Sequence, residues 1–71
     1  MIKDNLLFDK AMAELKESYF NLGNAKIHLV GLKWKAEDEN EVKKIDSLVN
    51  QCEDQREEIR KLGVKLLNVI V

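Results

Sequence analysis

The chain has no proline, one cysteine, one histidine and only three glycines among its 71 residues. Without proline it lacks the strongest interior helix breaker, so long uninterrupted helices are open to it. A single thiol cannot close an internal disulfide. That excludes the cross-linked scaffolds of small exported domains and makes a reducing, cytoplasmic setting the expectation. One imidazole and one thiol also fall short of the ligand set of a zinc site, so His28 reads as a surface or partly buried histidine and no metal ligand is expected. Aromatic residues make up only 6% of the chain, too few for a typical sandwich core. The uncharged stretches 27–32 and 66–71 are far shorter than the roughly 20 residues a membrane-spanning helix requires. The opening Met1-Ile2-Lys3-Asp4-Asn5 lacks the basic, apolar, small-residue order of a signal peptide. A formal charge of −1 and an isoelectric point near 5.8 argue against a surface devoted to phosphates, although local basic patches remain.

What the chain does contain is patterned. Hydrophobic residues make up 45% and charged residues 35% of it, and the two are interleaved at helical spacing. Val42, Ile45, Val49, Cys52, Arg56, Ile59, Gly63, Leu66 and Ile70 recur by alternating threes and fours, with one charge among them. Leu48, Leu62 and Val69 widen this stripe to one side, beyond the narrow seam of a two-stranded coiled coil and toward the face of a bundle helix. Upstream, Asp4 or Asn5 can cap a helix on which Phe8, Met12, Leu15, Tyr19 and Leu22 share a face. That face is expected to drift by one residue onto Phe20, Gly23, Ile27, Val30 and Trp34, as a straight helix drifts against a seven-residue repeat.

Between the two stripes, Ala36-Glu37-Asp38-Glu39-Asn40 has no large apolar residue, and Asp38 with Glu41 three later fits a capping box. Glu39 with Lys43 and Glu57 with Lys61 have the spacing of favourable pairs on an exposed helical side. The expectation is therefore one all-α domain over 1–71: a long helical hairpin with a helix at 4–35, an acidic turn at 36–40 and a helix at 40–71. Two such hairpins would dimerise into a four-helix bundle, because a rod of two helices has no third layer to cover its stripes.

A rival α/β reading ends the helices at Gly23 and Gly63, residues that tolerate a helix stop. Segment 25–35 would then be a strand with His28, Val30, Leu32 and Trp34 on one side, and the valine-rich 64–71 a second strand. Two strands make a poor sheet, so that version needs a second chain to complete it.

Few residues offer chemistry. Cys52 sits within the apolar stripe, where a thiol acts as a small hydrophobe, and the spacing gives no sign of a catalytic pair with His28. Glu37, Asp38, Glu39 and Glu41 lack the alternating ligands and central glycine of a calcium loop. Asp9, Glu14 and Glu17 are interleaved with lysines, away from any apolar pocket that would perturb a carboxylate. No catalytic residue and no cofactor site is expected, and the chain does not read as an enzyme.

Arg56 interrupts the stripe. It reads either as a side chain snorkelling to the edge or as a cross-subunit partner of a glutamate that fixes register. The apolar tail Val64, Leu66, Leu67, Val69, Ile70 and Val71 is expected to pack on Ile2, Leu6 and Leu7 or on a second subunit; a membrane-surface role for 66–71 is the weakest alternative.

These features point to a non-enzymatic protein–protein interaction module, such as a self-associating adaptor, a chaperone-like protein or a phage or bacterial accessory protein. Its interface would be Val42, Ile45, Val49, Cys52, Arg56, Ile59, Leu66 and Ile70, occupied by a second copy or a larger protein. The alternative is a small nucleic-acid-associated regulator that contacts phosphates and bases through Lys26, His28, Lys33, Trp34 and Lys35. Otherwise Trp34 is an anchor packed at the end of the hairpin under the lysine stems.

Overall fold

The computed structural model describes residues 5–69. Two α-helices of 31 residues, α1 (Asn5–Lys35) and α2 (Glu39–Val69), fold back on one another as a hairpin, with no strand among the described residues. The rod measures 54 × 15 × 9 Å between its Cα extremes. The rival α/β reading fails because Gly23 and Gly63 lie inside the helices and no glycine has a positive φ. Tertiary packing carries both segments past the residues that could have stopped them.

The turn is held by its own polar groups. At the end of α1 the Ala36 N–H donates to the Lys33 carbonyl at 3.2 Å, which tightens the last turn. Asp38 then caps α2: its carbonyl accepts from the Val42 N–H at 3.2 Å and its Oδ1 from the Glu41 N–H at 2.8 Å. Glu41 returns the interaction one residue further back than the usual box, its Oε2 accepting from the Glu37 N–H at 3.1 Å. Glu39 and Glu41 also place negative charge at the positive end of the α2 dipole.

The half-buried residues define the seam. On α1 they are centred on Phe8, Met12, Leu15, Tyr19, Leu22, Lys26, Leu29 and Lys33, and on α2 on Val42, Ile45, Val49, Cys52, Arg56, Ile59, Gly63 and Leu66. Both series keep the alternating three–four step of a coiled coil from end to end.

This corrects the expected drift on α1. Gly23 and Val30 of that series are half-buried, but Lys26 and Lys33 occupy the seam positions and Phe20, Ile27 and Trp34 stay 64%, 66% and 85% exposed. The physical reason stands opposite: Lys26 Nζ lies 3.0 Å from Glu53 Oε1 and Lys33 Nζ 2.9 Å from Asp46 Oδ1, so the lysines bridge the helices. Trp34 is therefore no packed anchor.

Two smaller differences concern pairing on α2 and the tail. Glu57 binds Arg60 three residues on rather than Lys61, and Lys61 pairs instead with Glu58 at 3.5 Å. Leu66 is half-buried, but Val64, Leu67 and Val69 remain exposed, as do Leu6 and Leu7 at the start of α1. Ile2, Ile70 and Val71 lie outside the described residues.

Candidate interaction surface

The middle of the seam is polar, and α1 makes room for it. Arg56 reaches across from α2 and places its guanidinium carbon 4.1 Å from the centroid of the Tyr19 ring, a cation–π contact between the helices. Its Nη1 also donates to Glu53 Oε1 at 3.1 Å, one turn back on α2. Gly23 forms the floor: a Cβ there would stand 3.3 Å from Nη2 and 3.4 Å from Cζ. The Nε is shielded from solvent and meets no acceptor.

Glu53 Oε1 is shared by Lys26 of α1 and Arg56 of α2, and their hydrogen bonds, that of Lys26 foremost, hold the carboxyl below its usual range. Glu57 is lowered in the same direction by Arg60, whose Nε donates to both carboxylate oxygens at 3.1 and 3.0 Å. Within the chain, Arg56 pairs with Glu53 and does not snorkel free of the stripe. It is an intrachain pin between the helices.

Along the flanks of this seam the apolar surface is open. Leu6, Ala13, Phe20, Ile27 and Trp34 recur every seventh residue on one side of α1. Between Phe20 and the end of α2 lies a groove of about 250 Å³ lined by Met12, Leu15, Tyr19, Ile59, Val64 and Leu67. A second hollow between Val30, Lys33, Trp34 and Val42 continues the same side toward the turn. On the opposite flank of α2, Leu48, Leu62 and Val69 also recur at multiples of seven and stay exposed.

The residues expected to form an interface on α2 turn toward α1. Val42, Ile45, Val49, Cys52, Arg56, Ile59 and Leu66 are all half-buried in the seam, and Ile70 lies outside the described residues. Of the basic strip, Lys26 and Lys33 face carboxylates of α2, whereas His28, Trp34 and Lys35 are exposed on α1. Cys52 is a free thiol.

Among the described residues no group of three His, Cys, Asp or Glu side chains is arranged to hold a metal ion. No helix among them is long and apolar enough to cross a membrane.

The signal for the open side was present in the sequence as the second stripe on α1. Periodicity alone places that stripe in the hairpin's own interior, because it favours apolar residues over lysines at seam positions. Compared with known proteins, the chain matches no family, no curated sequence and no solved structure.

Proposed function

We propose that this hairpin is a non-enzymatic protein–protein interaction module that self-associates, two copies forming a four-helix bundle, and that it serves in the cytoplasm as an adaptor-like or chaperone-like accessory protein. One observation carries the reading: not a single described residue is buried. A two-helix rod with an apolar seam and apolar flanks gains about 1.5–3 kcal/mol for each large side chain that an added layer removes from water. Phe20, Ile27 and Trp34 alone offer three such side chains on one side. Lys26 and Lys33 are each bridged to a carboxylate of α2, Glu53 and Asp46, which lowers the net charge of the strip and favours a protein partner over a phosphate backbone.

Light scattering across a micromolar concentration series tests the proposal, with the expected mass a multiple of 8.2 kDa. A helical protein that stays monomeric throughout the series would overturn self-association. A salt-sensitive mobility shift with duplex or single-stranded nucleic acid would instead favour the regulator reading.

A further inference from the structure

Phe20 is the middle residue of α1, and the exposed apolar series runs to both ends of that helix: Leu6 and Ala13 before it, Ile27 and Trp34 after it. A stripe that is symmetric about the midpoint of a helix is self-complementary when a second copy is laid on it antiparallel. We infer that this side of the hairpin seats a second copy of the chain across a two-fold axis at Phe20. Each Phe20 then meets its symmetry mate, and Leu6 lies near the other copy's Trp34. The inference rests on the self-association proposed above and adds its face and direction.

Two further observations select this occupant. The first is charge. All described acids of α1, Asp9, Glu14 and Glu17, precede Phe20, while every cation after it, Lys26, Lys33 and Lys35, stands in the other half without an acid between them. α2 has the same polarity. Its start follows the acidic turn of Glu37 and Asp38 and carries Glu39 and Glu41, whereas Arg60, Lys61 and Lys65 crowd its far end with no acid after Glu58. The acids outnumber Lys10 and Lys16 in the first half of α1, and Lys43 and Lys44 in the first half of α2, so antiparallel stacking sets the net-acidic half of each helix on the net-basic half of its mate. Laying α1 parallel on the other copy's α1 would instead set like halves together and one acidic turn beside the other, which like-charge repulsion disfavours.

The second observation is size. A broad side of the rod, 54 by 15 Å between Cα extremes, has a projected footprint of about 800 Å². That is roughly the area each partner contributes to a standard stable interface. The side also carries the groove beneath Val64 and Leu67, which gives the bulky stripe of the second copy somewhere to seat.

The test uses the full chain with Cys52→Ser and a spin label at Lys35→Cys, in combination with light scattering. Lys35 is fifteen residues from Phe20, so the antiparallel dimer separates the two labels by about 45 Å at a helical rise of ~1.5 Å. A parallel pair brings them to roughly 10–20 Å, the scale of neighbouring helices. Phe20→Asp should abolish the dimer while circular dichroism keeps its helical signal. Leu62→Asp, on the other flank, should leave the dimer intact.

A dimer with the short distance, or one that survives Phe20→Asp and is lost with Leu62→Asp, overturns this inference and leaves self-association standing. An unmodified chain that scatters as a monomer overturns both.

Discussion

The three glycines of the chain all lie within helices at ordinary helical φ, yet they should respond differently to alanine. An interior helical glycine is worth about 1 kcal/mol less than alanine, because it loses more backbone freedom on folding. At Gly31 and Gly63 an added Cβ meets nothing within 4 Å, so Gly31→Ala and Gly63→Ala should each gain that full amount. For a domain of this size the gain corresponds to a rise in Tm of roughly 4–8 °C.

Gly23 is different, because its Cβ would stand 3.3 Å from Arg56 Nη2. The guanidinium would have to retreat, loosening its 4.1 Å stack on Tyr19 and its 3.1 Å bond to Glu53. A partly desolvated cation–π contact is worth about 1–2 kcal/mol, enough to consume the propensity gain. Gly23→Ala should therefore leave Tm little changed. In an Arg56→Ala background the same substitution should recover the full stabilisation seen at Gly31.

Thermal and urea denaturation at one fixed protein concentration provide the measurement, since association makes Tm concentration-dependent. If Gly23→Ala stabilises the unaltered chain as much as Gly31→Ala does, and the two substitutions at 23 and 56 are additive, the cradle reading is wrong.

Three other outcomes follow from the same geometry. Asp38→Ala removes the acceptor for the Glu41 N–H and should cost about 1 kcal/mol, while Asp38→Asn should retain most of the stability; equal losses would mean that the cap bond contributes little. Glu53 and Glu57 are held below the usual value of 4.5, so their stabilisation is complete above that pH and is lost as pH falls through their lower folded values; stability should drop on the acid side, and less steeply in Glu53→Gln. Tyr19→Leu keeps the seam apolar but removes the ring beneath Arg56, and should lower stability in the unaltered chain more than in an Arg56→Ala background, a difference that a double-mutant cycle reads directly.

Most of the fold was legible in the residues themselves. The absence of proline, the three–four spacing on both halves and the Asp38–Glu41 cap determine two long helices and the place where the chain reverses. These are local properties, set by hydrogen bonds and side-chain period within a few residues of one another.

The partners of each stripe could not be read in the same way. α1 carries two apolar series one residue apart, and periodicity alone prefers the one that ends in Ile27 and Trp34. Only the packed pair of helices puts Glu53 opposite Lys26 and Asp46 opposite Lys33, which lets lysines hold the seam and leaves Phe20, Ile27 and Trp34 outward. Gly23 has the residue type of a helix stop and is instead the space that admits Arg56 to the Tyr19 ring. Each of these assignments depends on which residue of the second helix stands across from the first, over a sequence separation of 27 for Lys26 and Glu53. A one-dimensional period carries no information about that register, so the tertiary structure alone decided it.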